Sequence, residues 1–376
     1  MITEPRPRFR PDVRLSAPLL ERGRWVHLML DPVTNAQMRI GRKEHFIISR
    51  LDGRHTLDQI GVAYAHRFGS RLGDRQWQQM LGLLYGRALM ADGPAPVVPA
   101  NADVAATTLL AGSMLLVPYT GRVPAIVTRF LRWPPAWAVL LATAGWLLSV
   151  VVVHLSEFGR DIRALGTRPA ELIAVVLALW LSFCLHELAH GLVAKALGGT
   201  VAGIGVRWRL PAVWLYCGIP DLRLMPSRAG QAAAAGAGVL ANVLVLVPVY
   251  LAWLLVPARP VHSTLGALLL AGALAGLVNL IPVPPFDGYT IIECSLGAIG
   301  LVPGIIRGPH RWLYGLCAVT GVCLLAGVAL FVIAAVAGLS AVPAVCALAV
   351  AAACLAALIA TAARLRPSDM HEDGDA

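Results

Sequence analysis

Six long apolar runs constrain this chain more than any other feature of its sequence. Each holds about 20 residues with few or no charged side chains, which is long enough to cross a bilayer as an α-helix. The runs cover residues 136–155, 172–190 and beyond, 231–256, 264–281, 312–338 and 341–363. Backbone groups inside a bilayer must hydrogen-bond internally, so helices are the expected structure of such runs. We therefore predict a mostly α fold, a polytopic membrane bundle of about six transmembrane helices.

The composition also indicates an integral membrane protein. Of the 376 residues, 57% are hydrophobic and only 14% are charged, and the mean hydropathy of +0.70 is far above that of an ordinary soluble domain. We expect no secretory signal, because residues 1–14 contain no short apolar segment and the first long uncharged run begins near Ala136.

The distribution of basic residues predicts the orientation of these spans. An even number of crossings places both chain termini on the same side of the membrane. Even without residues 1–135, the loops on that side carry nine Lys and Arg residues, against four in the loops on the other side. Because basic loops remain in the cytoplasm, we predict a multi-pass protein of the cell membrane with both termini cytoplasmic.

Residues 1–95 have the pattern of a small α+β domain of winged-helix size. Two strands are predicted within residues 25–41, around an Asp-Pro-Val-Thr-Asn turn, and helices at 43–51, 56–68 and 74–89. The other predicted regions are a linker and membrane-surface segment at 96–135, a transmembrane domain at 136–366 and a disordered acidic tail at 367–376. Within the linker, residues 113–133 are expected to lie along the membrane, with Arg122, Arg129 and Arg132 near lipid headgroups.

The second apolar run contains a His-Glu-x-x-His motif, formed by His186, Glu187 and His190. On a helix, this spacing places both imidazoles on one face, where they can bind a tetrahedral Zn²⁺ with the Glu beside its open position. A charged residue within a span costs about 2.5 to 3.5 kcal/mol even on the lenient insertion scale, so an idle Glu187 is not expected.

Two histidines leave a zinc site one protein ligand short. The proline-rich segment 282–285 cannot continue the fourth run as a helix, so the chain must unwind there at membrane depth. Asp287 follows on the unwound segment and is the only carboxylate between Asp221 and Glu293. The predicted topology places Asp287 at the same depth as the two histidines, and we therefore predict it as the third ligand.

These residues predict the chemistry of a zinc peptidase. A zinc ion bound by His186, His190 and Asp287 would lower the pKa of its water to about 7, and Glu187 could then take the proton as this water attacks a peptide carbonyl. Asn279, just before the break in the fourth run, is a candidate to stabilise the oxyanion or orient the substrate, although it could equally cap the helix end.

The combination of His-Glu-x-x-His with Asn-x-x-Pro-x-x-x-x-Asp-Gly, here running from Asn279 to Gly288, resembles the site-2 protease family of intramembrane zinc metalloproteases. The resemblance covers residues 136–300 and implies the same three ligands and the same Glu base. The segment AGVLAN at 237–242 is similar to the family's Ala-Gly-Pro-x-x-Asn, but Val239 replaces the proline and we assign no role to Asn242. Tyr289 follows Asp287 and Gly288, and the resulting Asp-Gly-Tyr sequence is more like that of the family's peptide zinc metalloprotease branch.

Two further segments suggest how a substrate is recognised. Residues 199–220 alternate between apolar and other residues, which predicts a short β-hairpin near the active site, either a clamp that pairs with an extended substrate or a structural element. In the N-terminal domain, Leu51, Asp52, Gly53 and Thr56 match the Leu-Asp-Gly-x-x-Thr of leader-recognition domains in enzymes that mature ribosomally made peptides. Three functions of this domain remain open: it could bind a leader peptide, bind DNA or have a purely structural role. DNA binding is the least favoured of the three.

We therefore predict a membrane-embedded zinc endopeptidase that cleaves a peptide precursor or single-span membrane substrate near the cytoplasmic face, in the maturation of a ribosomally made peptide. The chemistry could instead serve regulated intramembrane proteolysis of a transcription-factor anchor, although the sequence has no PDZ-like insertion. Two further alternatives are a membrane scaffold or export partner with a structural metal, and a zinc transporter.

Overall fold

The computed structural model describes seven continuous segments of the chain and isolated residues between 319 and 353. The segments are residues 6–21, 24–34, 36–96, 111–118, 122–209, 212–220 and 222–300. The chain divides into two compact units, Met1–Ala105 and Ala106–Ala376.

The first unit begins with four short antiparallel strands. They are β1 (Arg14–Leu15), β2 (Leu19–Glu21), β3 (Arg24–Asp31) and β4 (Ala36–Gly41). Strands β1 and β2 pair with different halves of β3, and β4 pairs with β3 from Val26↔Gly41 to Asp31↔Ala36. Asp31 accepts hydrogen bonds from the Val33 N–H and the Thr34 hydroxyl, which stabilises the turn between β3 and β4. The predicted pair of strands is therefore confirmed.

Three helices complete the first unit: α1 (Arg42–Ile48), α2 (Leu57–Phe68) and α3 (Asp74–Gly86). Thr56 caps α2, because its hydroxyl accepts from the Gln59 N–H while the Gln59 side chain accepts from the Thr56 N–H. Helix α3 ends three residues before the predicted boundary, since the backbone of Ala88 has a φ of 54°. The chain then runs beside Phe9 and buries Met90 in the core of the unit.

Within the described residues, the second unit contains four helices, or helix pairs, that are long and apolar enough to cross a membrane. They are α5 (Pro134–Val153), α7 (Pro169–Ala196), the pair α8 (Arg228–Leu244) and α9 (Leu246–Leu255), and α10 (Val261–Asn279). These helices lie on the first four predicted runs, so the chain is a multi-pass membrane protein. The fifth and sixth predicted spans and the acidic tail lie almost wholly outside the described residues, and six spans stay a prediction.

Interruptions in the helices have local causes. Pro248 has no N–H to donate to the Leu244 carbonyl, and the regular helix is interrupted at Val245, between α8 and α9. After α5, the chain turns at His154 into the amphipathic helix α6 (Leu155–Ala164), whose Phe158 is fully buried. Residues of α5, α6, α9 and α10 share one hydrophobic core, which includes Leu147, Phe158, Leu246, Leu269 and Leu270.

The second unit also contains a three-stranded antiparallel sheet. Its strands are β5 (Ala111–Pro118), β6 (Gly203–Arg209) and β7 (Ala212–Gly218), in the order β5–β6–β7. The predicted hairpin is present as β6 and β7, but β5 adds a third strand to it. Part of the segment expected along the membrane surface, residues 113–118, is thus a paired strand.

A short amphipathic helix, α4 (Ala125–Arg132), follows β5 and exposes Ile126 and Phe130. The Arg132 side chain of α4 donates a hydrogen bond to the Ala196 carbonyl at the C-terminus of α7, at 3.2 Å. A basic side chain at this position satisfies one of the carbonyls that a helix end leaves unpaired.

Candidate metal centre

Three side-chain atoms from two distant parts of the sequence converge at one point. The Asp287 Oδ2 atom lies 3.0 Å from His186 Nε2 and 3.3 Å from His190 Nε2. The two Nε2 atoms are 3.1 Å apart. A tetrahedral ion with ligand bonds of about 2.0–2.2 Å holds its ligand atoms about 3.3 Å apart, so these separations fit a shared metal.

The burial of these groups also fits a metal centre. The side chains of His186, His190 and Asp287 are only 7, 12 and 23% exposed. In the described part of the chain, the buried Asp287 Oδ2 atom has no hydrogen-bond partner and faces the Nε2 atoms of the two imidazoles. A buried carboxylate needs a compensating charge, which a cation at this point would provide. This is the one group of three convergent His, Cys, Asp or Glu side chains among the described residues.

Helix α8 contacts the second ring nitrogen, Nδ1, of both imidazoles. The Ala234 carbonyl lies 2.8 Å from His190 Nδ1, and the Asn242 side-chain nitrogen lies 3.0 Å from His186 Nδ1. The hydroxyl of Ser182, one turn before His186 on α7, donates to Asn242 Oδ1 at 3.1 Å. Such contacts to the second ring nitrogen fix the orientation of histidines that bind metals.

Gly238 allows α8 to approach the histidines so closely. A Cβ atom at this position would lie 2.6 Å from His186 Nε2 and would also overlap His190 Nε2. Gly238 and Asn242 are four residues apart and therefore lie on one face of α8. The segment AGVLAN is thus part of the candidate metal centre, although the sequence alone assigned no role to Asn242.

Asp287 is positioned by the break after α10. Helix α10 ends at Asn279, residues 280–286 have no regular helix, and α11 (Asp287–Leu296) begins with Asp287 itself. The next residue must be glycine, because a Cβ atom at Gly288 would overlap the backbone of Leu280. The prediction that the proline-rich segment interrupts the helix before Asp287 is therefore confirmed, but Asp287 itself begins α11 instead of lying on the unwound segment.

Helix α11 is anchored by a buried ion pair. Arg223, in a short 3₁₀ turn after β7, pairs with Glu293 and also donates a hydrogen bond to the Ala298 carbonyl. The other carboxylate oxygen of Glu293 accepts from the Gly300 N–H. Glu293 is only 4% exposed, so it does not face the solvent. This pair stabilises the helix that carries Asp287.

Glu187 contacts the sheet rather than the cluster of ligands. Its Oε2 atom accepts a hydrogen bond of 3.1 Å from the backbone N–H of Cys217 in β7. The contact brings the carboxylate of the His-Glu-x-x-His motif to the edge of the hairpin. Asn279, by contrast, is the half-buried last residue of α10, and no contact in the described structure assigns it to catalysis or to capping.

The sequence predicted the grouping of His186, His190 and Asp287, which the structure shows, but not the residues that support it. Gly238 and Asn242 act through contacts between α7 and α8, and such contacts cannot be predicted from a local pattern. The only sequence signal for these two residues was the segment AGVLAN. Comparison of the chain with protein-family models, with curated proteins and with solved structures finds no match.

Proposed function

We propose that this chain is a membrane-embedded zinc endopeptidase that resembles the site-2 protease family and removes the leader of a ribosomally made peptide near the cytoplasmic face. The observation that carries the proposal is the convergence of His186, His190 and Asp287 within 3.3 Å of one another, beside a Glu in the same helix motif. The donor set of two imidazoles and one carboxylate is the one that zinc peptidases use, with a fourth position left for water.

The proposed mechanism divides the work between the metal and the protein. A zinc ion, if bound by His186, His190 and Asp287, would supply Lewis acidity for the activation of water and the polarisation of the peptide carbonyl. Glu187 accepts the proton of the attacking water and then passes it to the leaving amine. The hydrogen bond from the Cys217 N–H holds one oxygen of the Glu187 carboxylate at β7.

The sheet supports a way of presenting the substrate. Strand β5 pairs with one edge of β6 and β7 with the other, and within the described residues no strand pairs with the outer edge of β7. The Cys217 N–H lies on this outer edge and reaches Glu187. A substrate that adds to β7 as an extended strand would therefore run beside the proposed base, with its peptide bonds freed from helical hydrogen bonds.

The first unit is proposed to recruit the peptide precursor as a winged-helix-like leader-binding domain. In this unit, the described residues leave one edge of β4 without a partner strand. A leader peptide could add to that edge by main-chain pairing, and the Leu-Asp-Gly-x-x-Thr match supports this function. We propose six spans with both termini in the cytoplasm, where peptide precursors are synthesised.

Comparison of wild type with Glu187→Gln tests the proposal directly. The purified protein would be incubated with the peptides encoded near its gene and with single-span substrates, and cleavage would be followed by mass spectrometry. We expect wild type to cleave and Glu187→Gln to lose more than about a hundredfold in rate, because the substitution removes the general base. The control is Glu171→Gln, which alters a carboxylate of α7 paired with Arg168 and should retain activity.

Two outcomes would contradict the proposal. Cleavage by Glu187→Gln at the wild-type rate would exclude its role as base. Absence of cleavage across the whole panel, with the metal bound, would favour a scaffold in which the metal is structural.

A further inference from the structure

The two imidazoles of the metal centre are oriented by chemically different partners on α8. His190 Nδ1 faces the carbonyl of Ala234, at 2.8 Å. A carbonyl oxygen only accepts hydrogen bonds, so this contact requires the proton on Nδ1 and leaves the Nε2 lone pair facing Asp287. The backbone alone therefore sets the tautomer that His190 needs for binding a metal.

His186 has a side-chain partner instead. Its Nδ1 atom faces the carboxamide of Asn242, which has a donor at one end and an acceptor at the other. When the amide nitrogen faces Nδ1, as it does here, the imidazole carries its proton on Nε2, and Nε2 can donate to Asp287 but cannot bind a metal. When the amide oxygen faces Nδ1, that oxygen accepts the Nδ1 proton and Nε2 is free as a ligand.

The surroundings of Asn242 allow both orientations. The side chain is 1% exposed, so no solvent competes for it. Its other end contacts the Ser182 hydroxyl at 3.1 Å, and a hydroxyl can donate to the amide oxygen or accept from the amide nitrogen. A half-turn of the carboxamide therefore exchanges its two ends without leaving either one unpaired.

We propose that Asn242 is a positioning residue of the metal centre: its carboxamide turns with Ser182 so that its oxygen accepts the Nδ1 proton of His186 and presents Nε2 to the metal. This inference rests on the proposed zinc site. It explains why the AGVLAN segment combines Gly238, which allows α8 to approach, with Asn242 one turn later. It also predicts an asymmetry, because His186 depends on a side chain and His190 on the backbone.

The test measures metal affinity rather than cleavage. Purified wild type and variants would be stripped with a chelator, and Zn²⁺ binding would be measured by competition with that chelator. Co²⁺ absorption would report the coordination geometry. We expect Asn242→Leu to weaken binding by about 10- to 100-fold, the usual effect of losing a partner of a ligand histidine. Asn242→Asp should remain close to wild type, because a carboxylate oxygen also accepts the Nδ1 proton.

The matched control is Gln231→Leu, which removes another buried carboxamide of α8. Gln231 donates to the Arg223 and Met225 carbonyls and does not contact the histidines, so its loss should leave metal affinity unchanged. Circular dichroism and size-exclusion chromatography would establish that each variant is folded. The retention of binding by Asn242→Asp separates a specific effect from a folding defect.

The possible outcomes distinguish this inference from the proposed function. If wild type binds the metal and folded Asn242→Leu binds it equally well, the role of Asn242 is excluded while the metal centre stands. Loss of binding by Asn242→Asp to the level of Asn242→Leu would also exclude it. If wild type itself takes up no metal, the inference and the proposed function both fail.

Discussion

At Gly238, the absence of a side chain allows helix α8 to lie directly against the imidazoles of His186 and His190. We predict that Gly238→Ala displaces these rings, because the added Cβ atom would lie 2.6 Å from His186 Nε2, where no atom fits. The expected result is loss of bound zinc and of cleavage, measured by metal analysis and peptide assay. Gly236→Ala is the control, because its Cβ atom would make an ordinary contact of 3.5 Å with Ile291. Equal zinc content in the two variants would contradict the described packing.

The residues of the candidate metal centre differ in how well the sequence predicts them. His186 and His190 are set by helical spacing, and Asp287 by its position after a proline-rich break, so local rules and the order of spans suffice to place them together. Asn242 and Gly238 act through the packing of α8 on α7, and Ser182 through a hydrogen bond across that interface. Such contacts depend on the rotation of one helix relative to another, which local sequence does not specify.

In the first unit, α1 and β3 are joined by a pair of stacked histidines. The rings of His27 and His45 are parallel, with centroids 3.6 Å apart. Burial, the neighbouring His27 and the charge of Arg50 lower the pKa of His45 from 6.5 to about 4. Burial also lowers the pKa of His27. Both rings are therefore neutral in the folded unit at neutral pH.

This arrangement predicts acid sensitivity of the first unit. Below a pH of about 6.5 the unfolded chain binds a proton at His45 that the folded unit excludes, so stability present above that pH is lost as pH falls toward about 4. The test is the thermal unfolding midpoint of the fragment Met1–Ala105 between about pH 7 and about pH 4.5. His45→Phe should flatten the dependence, whereas His66→Gln, at an exposed position of α2, should not. An unchanged dependence in His45→Phe would exclude the stack as its cause.

Among the elements, β5 is a strand that the sequence did not predict. The hairpin of β6 and β7 is local, and its alternating pattern predicted both strands. The second partner of β6 is β5, which precedes it by about 90 residues and pairs with it from Ala111↔Arg209 to Pro118↔Gly203. No local signal marks such a pairing, and the apolar and basic residues around β5 were equally consistent with a segment at the membrane surface.

At the scale of the whole molecule, the first unit and the membrane unit are predicted to have separable functions. Deletion of residues 1–105 should slow cleavage of a full precursor by about tenfold or more, because the leader no longer raises the local substrate concentration. Cleavage of a short peptide that contains only the scissile segment should be unchanged. Rates for both substrates, measured side by side in wild type and the deletion variant, test this division. Equal rates with the full precursor would contradict leader recruitment.

The membrane architecture is the part of the fold that the sequence predicts best. Length and hydropathy alone place α5, α7, α8 with α9, and α10, because a bilayer requires long apolar helices. The internal break of the third span at Val245 follows from Pro248, a residue that is visible in the sequence but whose effect depends on its helical context.

The most direct test of the account is the zinc content of wild type and Asp287→Ala, measured on the folded, purified protein by elemental analysis. The central claim is that Asp287, brought beside His186 and His190 by the break after α10, completes one metal site. It predicts about one zinc ion per wild-type chain, very little in Asp287→Ala, and full retention in Glu187→Gln, which alters no ligand. Wild-type zinc content in Asp287→Ala, or a wild-type protein that takes up no zinc, would contradict it.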